Sequence, residues 1–252
     1  MSTDDAPVLE TTALCKSFGG LAAVRDVSIS LRRGELHALI GPNGAGKSTL
    51  VNLLSGELRS TSGEIRLDGS PVHTMSAPRM ARAGVARSFQ RTNIFPTLSI
   101  LENIRLAAQA IHTPTRELLR SRAAARELDA RAMAVLERIG LHEAPHRIAG
   151  TLSHGEQRLI EIAMTLAGNP RVLLLDEPLA GMGNEESASM ARLLKELAHD
   201  HAVLLIEHDM DFVFSVADRM TVMVEGALLA NGAPHTIRAD AGVQRAYLGA
   251  AP

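Results

Sequence analysis

From Val24 to Leu31 the chain (VRDVSISL) alternates apolar and polar positions with period two, the mark of a strand with one buried face. Arg33-Gly34 reads as a turn into Leu36–Ile40 (LHALI), a short continuous apolar run expected of a strand buried on both faces. Lys47–Leu54 reads as helix, and Glu64–Leu67 and Val85–Phe89 as further strands. From about Thr97 to Gly140 the pattern changes. The stretch RELLRSRAAARELDARAMAVLERIG is rich in Ala, Leu, Arg and Glu, shows no strand signal and ends at glycine, so residues 91–160 are expected to form a helical insertion. Buried-strand runs return at Arg171–Leu175 and Ala202–Ile206, with a helix between them over about Glu185–His199. Met220–Ala230 predicts a hairpin turning at Glu225-Gly226. Strands alternating with helices imply an α/β core with a largely parallel sheet, built here from 1–90 and 161–252 of a single domain, 1–252.

Composition narrows the function classes. The 252 residues are 46% hydrophobic, enough to fill a sizeable core, and the net charge of −2 argues against general nucleic-acid binding, which needs a basic field. Aromatics make up only 2%, with no Trp, so stacking platforms for single-stranded nucleic acid are not expected. The single cysteine, Cys15, excludes an internal disulfide framework and a cysteine metal cluster, and reads as small buried filler. The N-terminal MSTDDAPVLE is acidic and has no apolar stretch of the secretory kind, and the apolar runs fall far below the ~20 residues that cross a bilayer. A protein of a reducing compartment is expected.

The candidate chemistry lies at strand ends. Gly41-Pro42-Asn43-Gly44-Ala45-Gly46-Lys47-Ser48 fits G-x-x-x-x-G-K-[ST] between a buried strand and a helix, with Thr49 following. Glycines let backbone N–H groups close around phosphate charge, the helix N-terminus adds partial positive charge, Lys47 reaches the β/γ oxygens and Ser48 holds Mg²⁺. Asp176 and Glu177 end the apolar run Arg171–Leu175. Buried acids need a partner, and Mg²⁺ near Ser48 would supply one for Asp176, leaving Glu177 to orient or deprotonate an attacking water. His208 follows Ala202–Ile206 and Gln90 follows Val85–Phe89, so both are expected at the same edge, His208 toward a γ-phosphate and Gln90 toward Mg²⁺ and water.

Leu152-Ser153-His154-Gly155-Glu156-Gln157 precedes an amphipathic helix about 20 residues before the acid pair. With the phosphate loop, Gln90 and His208, this ordered set resembles an ABC transporter ATPase subunit over nearly the whole chain. The resemblance implies a P-loop NTPase core with an N-terminal antiparallel β-subdomain and an inserted α-helical subdomain. It also implies that Ser153 and Gly155 complete the nucleotide site of a second ATP-binding subunit, in a homo- or heterodimer, and that Phe18, which precedes the first expected strand, stacks on adenine. Two positions depart from the family pattern. His154 stands for the first glycine of LSGGQ, so its ring must point away from the phosphate or touch the ribose. Gly183 stands where an aspartate is usual, with Asn184 beside it as a candidate substitute. FGGLAAV, FPTLSILENI, LLIEHDM, ANGAP and AYLG resemble the ATP-binding subunits of branched-chain amino-acid importers, whose relatives serve urea, short amides or lipopolysaccharide export. Implied partners are two transmembrane permeases, met around Arg91–Leu98, and indirectly a periplasmic binding protein, at the cytoplasmic face of the inner membrane. The rival readings are weaker: a cytosolic ABC ATPase of translation or repair usually has tandem cassettes or a long coiled coil, and a GTPase should show N-K-x-D.

Overall fold

The computed structural model describes residues 6–89, 93–112 and 122–248. Two sheets meet at the phosphate loop. The first is antiparallel, built from β1 (Leu9–Phe18), β2 (Leu21–Val27), β3 (Ser30–Leu31), β5 (Ser62–Leu67) and β6 (Ser70–Pro71), in the order β2-β1-β5-β6 with β3 also on β1. The second contains β4 (Leu36–Ile40), β7 (Val85–Arg87), β8 (Val172–Asp176), β9 (Ala202–Ile206), β10 (Arg219–Val224) and β11 (Ala227–Gly232), in the order β11-β10-β4-β9-β8-β7. All neighbours in it are parallel except the β10–β11 hairpin.

Period-two side-chain alternation divides the second sheet between two cores. Val172, Leu174, Ala202, Leu204 and Ile206 face a core shared with the antiparallel sheet and with α1 (Lys47–Leu54). Leu173, Leu175, Val203 and Leu205 face the opposite core. That second core is completed by the helices α3 (Ile100–His112), α4 (Arg122–Arg138), α5 (His154–Leu166) and α6 (Asn184–Asp200). Burial on both faces explains why these strands read as unbroken apolar runs. A shorter helix, α2 (Ala77–Ala83), leads into β7, and α7 (Met210–Val216), α8 (Pro234–Ala239) and α9 (Ala241–Leu248) pack around the β10–β11 hairpin and β4.

Two sequence expectations are corrected. The single strand over Val24–Leu31 is split into β2 and β3, because Thr11 Oγ1 enters the gap, donating to Val27 O at 2.9 Å and accepting from Ile29 N–H at 3.0 Å. β1 was not expected at all. Its alternation is interrupted where Ala13 turns to φ 48° and the register shifts between Thr12 and Cys15. Phe18 therefore ends β1 and does not precede the first strand. From Thr97 on, the described residues include the helices α3 and α4, of the helical character expected there. Leu36–Ile40, Lys47–Leu54 and Ala202–Ile206 form the expected elements. Among the described residues no helix is long and apolar enough to cross a membrane.

Candidate functional site

The parallel register delivers the site. Leu39 pairs with Ile206, and Ile206 with Asp176, so β4, β9 and β8 end side by side. Past β4 the chain enters the phosphate loop. Gly46, at φ 98°, is the turn into α1, and a Cβ on it would collide with the carbonyl oxygen of Ala23 in β2. Gly41 is equally confined, against the Met223 carbonyl. The loop is tied to its surroundings: Gly226 N–H at the hairpin turn donates to Ala45 O at 3.0 Å, and Arg25 N–H in β2 donates to Gly226 O at 2.7 Å.

A cleft of about 750 Å³ opens over this loop, lined by Phe18, Leu21, Arg25, residues 43–49, Asp176, Glu177 and Glu225. Asn43, Gly44, Ala45, Gly46, Lys47, Ser48 and Thr49 line it as expected. Gly41 and Pro42 lie at its base and accept from Lys47 Nζ through their carbonyls at 2.6 and 3.0 Å. Burial lowers the Lys47 pKa, opposed by the nearby carboxylates of Glu177 and Asp176. Phe18, 48% exposed, and Leu21, 69% exposed, form the apolar end of the cleft. Lys16 Nζ sits 5.1 Å from the Phe18 ring centroid, a cation–π contact that fixes the ring.

Asp176 is the most constrained member. It is 2% exposed, its Oδ2 accepts from Arg87 Nη2 at 3.3 Å, and its Oδ1 is buried without a protein partner. Burial raises its pKa, Arg87 pulling the other way. A buried carboxylate oxygen without a protein partner, on a residue that lines one cleft with the Ser48 hydroxyl, suits a hard divalent cation, and the open space around Gly44 suits a phosphate chain. Glu177 stands in the left-handed region at φ 49°, its N–H held by Ile206 O at 2.9 Å. Strain of this kind, ~1–3 kcal/mol, persists where surrounding structure over-determines it.

The remaining expected residues are dispersed. His208 follows β9 with its side chain 77% exposed and does not line the cleft. Gln90 lies outside the described residues, as does Arg91. Ser153 and Gly155 are apart from the cleft, at the start of α5, where Ser153 caps the helix by accepting from Glu156 N–H at 3.1 Å. Gly155 is buried beside the Glu186 carboxylate, which a Cβ at this position would push aside. His154 is exposed beside them.

Sequence reasoning missed the polar groups behind the site. Arg87 also donates to Asn52 Oδ1, and Glu207, buried beside His208, accepts from Leu179 N–H at 2.9 Å. Arg158 and Glu161 of α5 lie behind Asp176 and Glu177. Their signal was present: two opposite charges three residues apart on the helix face that also carries Ile162 and Leu166. Burial pushes the pKa of the Tyr247 hydroxyl up to about 12, the nearby Gly41 amide pulling the other way.

Residues 24–180 match the ABC transporter family. The chain belongs to that family. The high-affinity branched-chain amino acid transport ATP-binding protein BraF of Pseudomonas aeruginosa is 42% identical to it over 97% of this chain and 99% of the relative. LivG of Escherichia coli, of the same description, is 42% identical with the same coverage. In shape, a nucleotide-free ATP-binding cassette from an ABC transporter superposes with a TM-score of 0.85 at 29% identity, covering 96% of this chain and 99% of that one.

Two outcomes follow. Gly46→Ala forces a left-handed alanine into the Ala23 carbonyl, so it should destabilise the fold by ~1–3 kcal/mol in chemical denaturation and weaken ATP binding. Asp176→Asn tests the buried charge. A carboxyl whose folded pKa is raised costs stability once pH rises above its unfolded value, about 3.9. The amide should therefore raise Tm at pH 7 without nucleotide, by ~2–4 °C per kcal/mol relieved, with the gain vanishing toward pH 4. An unchanged or lower Tm at pH 7 contradicts it.

Proposed function

We propose that this chain is the ATP-hydrolysing subunit of an importer for branched-chain or related hydrophobic amino acids. The observation that carries the reading is the meeting of phosphate loop, Asp176 and Glu177 at one sheet edge, in a chain that matches BraF and LivG along nearly its full length. Lys47 and the loop amides hold the phosphates of ATP, and Phe18 with Leu21 receives the base. Ser48 and Asp176, together with Gln90, would hold Mg²⁺, which when bound neutralises phosphate charge. Glu177, at the cleft wall, orients water and takes its proton. His208, exposed beside the edge, senses the terminal phosphate.

Two cassettes pair so that Ser153 and Gly155 of each face the nucleotide of the other, which agrees with their position at a capped helix N-terminus outside their own cleft. Membrane attachment comes through two permease subunits at the cytoplasmic face of the inner membrane, served by a periplasmic binding protein. An apolar groove of about 370 Å³ between α2, β7, α3 and α5, lined by Ala81, Val85, Phe89, Ala107, Ile111 and Met164, is the surface that supports permease docking. Its lining includes Asn93, which belongs to the stretch expected to meet the permease.

Vesicles holding this chain with its two permeases should take up labelled leucine, isoleucine or valine when ATP is supplied. Uptake of urea or short amides alone, or lipopolysaccharide extraction, overturns the substrate assignment. Glu177→Gln should lower kcat for ATP at least ~10²-fold and accumulate an ATP-bound dimer in size-exclusion chromatography. Near-normal turnover removes Glu177 from its role. Phe18→Ala should weaken ATP binding about tenfold through lost stacking, with a smaller change in kcat, in equilibrium binding and steady-state assays.

A further inference from the structure

The helix α5 buries two opposite charges. Arg158 and Glu161 are each 3% exposed and paired at 2.5 Å. The two terminal nitrogens of the guanidinium also donate to backbone: Nη1 to Phe89 O at 2.6 Å, Nη2 to Asp176 O at 2.9 Å and to Glu177 O at 2.6 Å. Glu161 Oε1 accepts from Phe89 N–H at 2.9 Å. Both backbone groups of Phe89 are thus held by one ion pair, and so are both carbonyls of the acid pair.

A buried ion pair is weak evidence for stability, because apolar residues of the same volume often serve as well. The contacts of this one point elsewhere. They reach out of α5 to the ends of two strands, and one of the gripped residues is Glu177, whose left-handed backbone is held on its N–H side by Ile206 and on its carbonyl side by Arg158. The same helix begins at Ser153, five residues away, or ~7.5 Å along a rigid axis. We propose that Arg158 is a positioning residue for Glu177, fixing the backbone from which that carboxylate projects and tying its placement to the position of α5. The proposal rests on the role given above to Glu177. In a cassette pair it makes each hydrolytic carboxylate answer to the helix whose N-terminus serves the other nucleotide.

The test is a double-mutant cycle on the full chain. Lysine keeps the charge of Arg158 but cannot span three carbonyls and a carboxylate with one ammonium. Arg158→Lys should lower kcat at least ~10-fold while KM for ATP stays within about threefold, the pattern of a lost transition-state contribution. In a Glu177→Gln background the same change should leave the residual rate unchanged within about twofold, since Arg158 acts through Glu177. A loss confined to KM, or an equal slowing in both backgrounds, overturns the proposal. If Glu177→Gln alone keeps normal turnover, the role of Glu177 falls and this proposal with it, whereas equal slowing with Glu177→Gln impaired removes Arg158 only. Should Arg158→Lys not fold, Glu161→Gln loosens the pair while keeping an acceptor for Phe89. A folded Glu161→Gln protein should show the same kcat-only loss, absent in the Glu177→Gln background, and full kcat in it overturns the proposal.

Discussion

The site is organised around a carboxylate placed where water barely reaches it. Asp176 ends a strand buried on both faces, and its side chain is paired with Arg87 through one of its two oxygens. Burial disfavours its charged form, and the Arg87 guanidinium opposes that only in part. Stability and function therefore pull apart at this residue. The parallel register makes the arrangement useful, because the strand next but one leads directly into a glycine loop with a lysine and a serine. The carboxylate thereby lines the same cleft as the lysine and the serine.

Holding that loop requires backbone to approach backbone. Gly46 abuts β2 and Gly41 abuts the end of β10, while the turn at Gly226 bonds to both β2 and Ala45. The two sheets are thus joined at the phosphate loop itself, so the antiparallel subdomain serves as one wall of the site. Phe18 and Leu21, at the turn between β1 and β2, reach the cleft because of this junction. Their exposed apolar surface, unusual in a chain with so few aromatics, fits a flat base better than solvent.

Much of this was legible in the chain because it depends on local or strictly periodic signals. A continuous apolar run marks a doubly buried strand, and β4, β8 and β9 appeared where such runs occur. The phosphate loop is legible because its glycines answer to backbone geometry. What stayed hidden depends on long-range contacts. β1 has a broken alternation, since a bulge at Ala13 and the hydroxyl of Thr11 rearrange its pairing. Burial after β9 is equally hidden: successive residues at a strand end point to different sides, so His208 is exposed while its neighbour Glu207 is buried. Arg158 reads as an ordinary helix cation until the tertiary fold sets Phe89, Asp176 and Glu177 around it.

The departure at Gly183 has a consequence for how the two ends of the segment after Glu177 communicate. Without a side chain at that position, nothing projects from it toward a second cassette. Its N–H is taken by Glu186 Oε2 at 3.0 Å, and the same carboxylate lies against Gly155 at the start of α5. Glu186 therefore joins the chain leaving Glu177 to the signature helix within one molecule, while Arg158 joins them from the other side, through the carbonyl of Glu177 itself. Two separate contacts bind α5 to this segment, one at its first turn and one in its middle. Movement of the helix against the sheet must break or carry both.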